Sequence, residues 1–214
     1  MIELTDISYS YYEDVVLENL SLNIKEGEAV AICGDNGSGK STLLKLINGL
    51  IFPQKGTYKF DGVEITEKQM DNSDFSKVFH QKIGFVWQNP DTQLFCSSVE
   101  EELAFGPMQM GLSGEEINKR VEDSLELLGL KHLRNRPPYY LSGGEKKKTA
   151  IASILTMNPT VWTLDEPLSS LDKKTREWLI DFLKALKQAG KTIVFSSHET
   201  SLVESIADRV FEIA

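Results

Sequence analysis

Eight residues near the start of the chain restrict its fold more than any others: Gly34-Asp35-Asn36-Gly37-Ser38-Gly39-Lys40-Ser41. Two glycines five apart, followed by Lys and Ser, form the pattern of a phosphate-binding loop. The flanking sequence supplies the context that the pattern needs. Ala29 to Cys33 is a short continuous apolar run, which suits a strand buried on both faces. Thr42 to Leu50 reads as a helix stopped by Gly49 and Pro53. The glycines let the backbone turn tightly enough for successive N–H groups to converge on one anion. A helix beginning near Lys40 aims the positive end of its dipole at the same point. Lys40 would then reach the β- and γ-phosphates of a nucleotide, and the Ser41 hydroxyl would ligate Mg²⁺. The loop from Gly34 to Thr42 is therefore expected to bind ATP with Mg²⁺.

The remaining pattern is that of alternating strands and helices. Ile7, Tyr9 and Tyr11 alternate with polar residues, and Leu20, Leu22 and Ile24 repeat the alternation. Tyr58 to Ile65, centred on Asp61-Gly62, predicts a hairpin. Ile83 to Trp87, Thr160 to Leu164 and Thr192 to Ser196 predict further buried strands. Helices are expected over Glu115 to Leu128, Ser142 to Met157 and Lys173 to Ala189. Thr66 to Lys82 is polar and irregular and predicts no element. Such an order implies an α/β fold with a mainly parallel sheet covered on both faces.

Composition narrows the function classes. The 23 Lys and Arg against 32 Asp and Glu leave a net charge of −9. This disfavours nucleic acid or an anionic membrane surface as the main partner, since both select basic patches. No run reaches the roughly 18 apolar residues of a membrane span. No signal peptide is expected, because no basic segment leading into an apolar core opens the chain. Cys33 and Cys96 have neither metal-ligand spacing nor the pattern of a disulfide framework, so reduced thiols are expected.

In open parallel sheets, ligands sit beyond the carboxyl ends of the strands. Besides the strand ahead of the phosphate loop, three predicted strands end in polar residues that suit nucleotide chemistry, making four such strand ends. Thr160 to Leu164 runs into Asp165, placed to hold Mg²⁺, and Glu166, placed to orient or deprotonate the attacking water. Ile83 to Trp87 runs into Gln88, able to reach the metal or its water, and Thr192 to Ser197 runs into His198, able to contact the γ-phosphate. Each alone reads equally as a surface turn; four together do not. A second anion site is suggested by Leu141-Ser142-Gly143-Gly144-Glu145 ahead of a helix. Ser142 and Glu145 have capping-box spacing, yet two consecutive glycines at a helix start suggest close approach to the backbone. Since the first loop already serves the chain's own nucleotide, the second would serve one held by another subunit.

The combination resembles the ATP-binding cassette (ABC) family over nearly the whole chain. Gly34 to Thr42, with Asn36, Gly37, Ser38, Gly39, Lys40 and Ser41, is similar to its Walker A motif, and Val161 to Glu166 to its Walker B. Gln88 corresponds to the Q-loop, Leu141 to Glu145 to the signature, Ser170-Leu171-Asp172 to the D-loop and His198 to the switch histidine. Tyr11 resembles the aromatic residue that stacks on adenine, with Tyr9 and Tyr12 as rivals for that place. The resemblance implies a single nucleotide-binding domain over residues 1–214. This P-loop NTPase fold would combine a RecA-like core, an N-terminal antiparallel β subdomain and a helical subdomain near residues 89–157. It implies catalytic roles for Glu166, His198 and Lys40, metal ligation by Ser41, Gln88 and Asp165, and nucleotide contacts from Ser142, Gly143, Gly144, Glu145 and Asp172. A head-to-tail dimer with two ATP molecules sandwiched between subunits is also implied, as a homodimer or with a paralogue. Membrane transporter subunits would hold the chain at the cytoplasmic face of the cell membrane.

The stretch Gln88 to Phe95, followed by Val99 to Glu102 and Ala104 to Pro107, resembles ATPase subunits of cobalt/nickel and energy-coupling-factor vitamin importers. Where the family's signature usually ends in Gln, with a Gln-Arg pair shortly after, this chain has Glu145 and Lys146-Lys147-Lys148. Glu145 is expected to point away from phosphate, and the lysines to form a solvated helix face. Family members usually extend further than Ala214, so no regulatory C-terminal domain is expected. The alternative is a soluble cassette ATPase acting on nucleic acid or ribosomes. Against it stand the lack of a long coiled coil between Thr42 and Leu141, the single cassette and the acidic charge. A module that holds ATP without hydrolysis is disfavoured by the presence of both Glu166 and His198.

Overall fold

The computed structural model describes residues 1–213. Two sheets organise them. The first is antiparallel, in the order β2-β1-β4-β5, formed by β1 (Ile2–Tyr11), β2 (Asp14–Ile24), β4 (Lys55–Phe60) and β5 (Val63–Glu64). The second is parallel, in the order β6-β7-β8-β3-β9. Its strands are β3 (Ala29–Cys33), β6 (Ile83–Val86), β7 (Val161–Leu164), β8 (Thr192–Ser196) and β9 (Arg209–Glu212). Asp61 and Gly62 both have positive φ, 51° and 77°, and join β4 to β5 with Phe60 opposite Val63. The predicted Asp-Gly hairpin therefore forms.

The strands β3, β6, β7 and β8 are buried and mostly apolar because each face has a cover, whereas β9 at the sheet edge leaves Arg209 and Glu212 exposed. Along β3, Val30 and Ile32 face one cluster and Ala29 and Ala31 the other. The first cluster is completed by α1 (Lys40–Ile47), through Leu43, Leu44, Leu46 and Ile47, and by the antiparallel sheet. The second is completed by α7 (Lys173–Gln188) through Leu179, Leu183 and Leu186, and by α8 (Thr200–Ile206) through Leu202 and Ile206. Helix α1 is also tied down by polar contacts. Asn48, buried at its end, donates Nδ2 to Thr163 Oγ1 at 2.8 Å, and Tyr58 Oη donates to the Ile47 carbonyl at 2.6 Å. The phosphate-loop helix is thus fixed against β7 and β4 at the end remote from its ligand.

Besides α8 and β9, for which no element was predicted, two segments depart from expectation. Thr66 to Lys82 is not irregular; it contains α2 (Glu67–Met70) and α3 (Ser73–Lys82), capped by Thr66 and Asn72. The weak pattern has a physical cause, since Phe79 is the single side chain that α3 buries fully. The second segment is α4 (Val99–Gln109), which falls in the helical subdomain implied by the resemblance but for which residue pattern alone predicts no helix, despite a side-chain cap from Ser98. It retains Pro107 and begins with Glu100, Glu101 and Glu102. Glu102 is buried, its Oε2 accepting the N–H groups of Phe95 and Cys96 at 2.9 and 2.8 Å. Helices α4, α5 (Gly114–Leu127) and α6 (Gly143–Leu155) pack through Leu103, Val121, Leu125 and Ile151 into the second cluster.

Candidate active site

The loop between β3 and α1 closes around Lys40. Its Nζ donates to the Gly34 and Asp35 carbonyls at 2.9 and 2.8 Å. Gly34 and Gly39 have φ of 149° and 99°, and Gly39 is the residue just before the helix. Close packing also enforces both. A Cβ on Gly34 would lie 2.4 Å from the Ile213 carbonyl oxygen, and one on Gly39 would lie 2.9 Å from that of Val16. The loop is therefore pressed against β2 and the chain's last described residues, and no larger side chain fits there.

A cavity of about 370 Å³ opens over this loop. Asn36, Gly37, Gly39, Lys40, Ser41 and Thr42 form one wall; Gln88, Glu166 and Val16 form the other. Residues more than a hundred positions apart thus converge as their strand ends predict. Val16 carries no sequence signal of its own, being one of many apolar strand residues. Gly34, Ser38, Asp165, His198 and Tyr11 lie outside the lining. Ser38 Oγ is buried without a hydrogen-bond partner among the described residues. Tyr11 stands at the end of β1, 38% exposed and edge-on to Tyr9 with ring centroids 5.0 Å apart, whereas Tyr12 is fully exposed.

The acidic pair after β7 is held by Ser196, which carries no sequence signal of its own. Ser196 Oγ donates to Asp165 Oδ1 at 2.7 Å and accepts the Glu166 N–H at 2.8 Å. Asp165 is 5% exposed, and its Oδ2 has no hydrogen-bond partner among the described residues. Glu166 has φ of 39°, a left-handed conformation rare outside glycine and enriched at functional sites. Its Oε2 lies 3.0 Å from His198 Nδ1, so the expected partner of a phosphate group is here the partner of the candidate base. Hydroxyl, amide and carboxylate oxygens from Ser41, Gln88 and Asp165 suit Mg²⁺, a hard ion that keeps waters and takes phosphate oxygens. Among the described residues no cluster of three or more His, Cys, Asp or Glu could hold a metal unaided.

The second predicted anion site is not part of this cavity. Ser142 and Glu145 form a complete capping box at the start of α6. Glu145 Oε2 accepts the Ser142 N–H and hydroxyl, both at 2.8 Å, which hold its carboxyl below the usual range. It is turned back on the cap, as expected. The two glycines differ. A Cβ on Gly144 would lie 2.8 Å from Thr175 Oγ1, so its bareness serves packing within the chain, while nothing lies within 4 Å of one on Gly143. Asp172 caps α7, its Oδ1 and Oδ2 accepting Thr175 N–H and Oγ1–H at 3.0 and 2.8 Å.

The expected solvated lysine face is a correction. Lys147 is 1% exposed and donates Nζ to the Trp87 and Gln88 carbonyls at 3.0 and 2.8 Å. Burial pushes its pKa down to about 8, against an opposing pull from Asp165. Lys146 pairs with Asp91 at 2.6 Å, and Lys148 Nζ lies 4.6 Å from the centroid of the Trp178 ring. Helical amphipathicity did not betray this, because the partners are backbone carbonyls some sixty residues upstream.

Away from these sites lies an apolar groove of about 360 Å³ between α3 and α4. Phe95 and Phe105 meet edge-on at its rim, 4.9 Å apart, and are 66% and 42% exposed. Met110, Ile154 and Met157 line it further in.

A family profile described as ABC transporter matches residues 17–169. The nickel import ATP-binding protein LarO of Lactiplantibacillus plantarum is 44% identical over 98% of this chain and 87% of its own length. The energy-coupling factor transporter ATP-binding protein EcfA of Methanothermobacter thermautotrophicus is 44% identical over 99% of this chain and 67% of its own. A dimeric ATP-binding cassette solved in a post-hydrolysis state with ADP and Pi superposes with a TM-score of 0.88 at 33% identity. That match covers 100% of this chain and 94% of the other.

Proposed function

The chain belongs to the ABC transporter family, and on that premise we propose that it is the ATP-binding and ATP-hydrolysing subunit of an importer for a metal ion or vitamin-type micronutrient. One observation carries the catalytic reading: Glu166 shares a cavity with Lys40, Ser41 and Gln88 while its carboxylate is held by His198 at 3.0 Å. In that arrangement Lys40 exchanges its two loop carbonyls for phosphate oxygens and balances their charge. Mg²⁺, carried by the nucleotide, would screen the phosphates and be held by Ser41, Gln88 and Asp165. Glu166 takes a proton from water as its oxygen attacks the γ-phosphorus; the bond to the β–γ bridging oxygen breaks, leaving ADP and phosphate. His198 keeps the carboxylate aimed at that water.

Membrane attachment would come through partner subunits, since no helix among the described residues is long and apolar enough to cross a membrane. The groove edged by Phe95 and Phe105 suits an apolar segment of such a subunit at the cytoplasmic face. Ser142 and Gly143 stand away from the phosphate cavity, and Gly143 has open space around it, which supports completion of the site by a second ATPase subunit. The nickel and energy-coupling factor relatives support the importer class. The catalytic assignment is tested by steady-state hydrolysis and ATP titration of Glu166→Gln. Turnover is expected to fall by roughly 10²–10⁴ with ATP affinity retained; unchanged turnover removes Glu166 from the role.

A further inference from the structure

The loop after β6 is fastened to α6 at several points between Trp87 and Gln93. Lys146 pairs with Asp91 at 2.6 Å, and Gln93 Nε2 donates to the Ala150 carbonyl at 2.8 Å and to Ser153 Oγ at 3.2 Å. Residues 146, 150 and 153 share one helical face. Beside them, the buried Lys147 places its ammonium between the carbonyls of two consecutive residues, Trp87 and Gln88. Desolvating an ammonium is expensive, and an apolar side chain would fill the same volume more cheaply. What only a cation or another strong donor provides is a grip on both carbonyls.

Gln88 occupies a distinctive place. Among the described residues it alone lines both the phosphate cavity and a second cavity of about 460 Å³. That second cavity is walled by Gly143, Lys146 and Lys147 of α6 and by Ser169 to Leu171 ahead of α7. The amide that faces the phosphate loop therefore hangs from a backbone held by the helix whose first turn carries the second anion site.

We propose that Lys147 is a positioning residue for ATP hydrolysis, locking the backbone of Gln88 to α6 so that occupation of Ser142 and Gly143 by a second subunit's nucleotide sets the placement of the Gln88 side chain. The inference rests on the reading of this chain as a half-site that hydrolyses ATP. Its action is on geometry: Lys147 touches no phosphate and leaves the chain's own nucleotide contacts intact. An error of 1 Å in a positioned group can reduce turnover by about 10²-fold, so loss of the grip is felt in kcat first.

The test uses the full chain with ATP and Mg²⁺, comparing wild type, Lys147→Met and Lys147→Arg for turnover, ATP affinity by titration calorimetry and thermal midpoint. Hydrolysis by the wild type is read first, since its absence overturns the proposed function rather than this inference. Lys147→Met should lose about tenfold or more in kcat with ATP affinity within about twofold and no fall in thermal midpoint. Lys147→Arg, which keeps donors for both carbonyls, should recover most of kcat. Unchanged kcat in Lys147→Met, a parallel loss of affinity, or no recovery in Lys147→Arg overturns the proposal. Should Lys147→Met not fold, Asp91→Ala loosens the same loop from its exposed end. Reduced kcat at unchanged affinity then supports the proposal, and unaltered kcat overturns it.

Discussion

Lys147 illustrates how one side chain can carry both a stability and a positional signal. Its pKa, about 8 in the fold, lies below the ordinary value of 10.5 because burial disfavours the charged form. Between these two values the unfolded chain holds a proton that the folded chain has released. Stability therefore rises with pH across that window and is insensitive to this group below it. Relative to Lys147→Met, the wild type should gain about 2–3 kcal/mol between pH 8 and pH 10.5. Urea unfolding of both proteins at pH 7, 9 and 10.5 measures this, and a difference constant with pH would show that the ammonium is not desolvated. The same residue marks a limit of sequence reading. A run of three lysines resembles a solvated face unless the carbonyls waiting beneath it are known.

At the scale of elements, Gly143 and Gly144 look identical in sequence and are not equivalent in the fold. Gly144→Ala drives a methyl against Thr175 Oγ1 and disturbs its bond to Asp172, so a loss of about 1–3 kcal/mol is expected. Gly143→Ala meets open space, and the better helix propensity of Ala should leave stability unchanged or raised by up to about 1 kcal/mol. Chemical denaturation of the two variants distinguishes them, and equal losses would contradict the packing account. The buried strands were legible because both faces of the parallel sheet are covered, which leaves continuous apolar runs. The phosphate loop and the Asp-Gly turn were legible because their glycines answer local backbone demands. Helices α3 and α4 were not, since α3 buries little and α4 carries Gly106-Pro107 inside it. Their caps at Asn72 and Ser98 were the signals available. Ser196, which joins Asp165 to Glu166, gives no pattern at all: its role exists only once β7 and β8 lie side by side.

The whole molecule presents two kinds of surface that a chain acting alone would not need. One is the groove beside Phe95 and Phe105, remote in character from the polar phosphate cavity. A Phe95→Asp substitution there should leave ATP turnover of the isolated chain within about twofold, because the ring is two-thirds exposed and lines this groove and not the phosphate cavity. Co-purification with membrane proteins should be lost, and retained co-purification would place their attachment elsewhere. The other is the first turn of α6, where an open Gly143 and a self-capped Ser142 stand apart from the chain's own phosphate loop. Each chain would thus carry one complete phosphate cradle and one half of its neighbour's, making ATP a ligand that favours the associated state. Sedimentation of Glu166→Gln with saturating ATP and Mg²⁺, and again with ADP, tests this most directly. A species of twice the chain mass is expected with ATP and the single chain with ADP; a single chain under both conditions would rule out the ATP-dependent association.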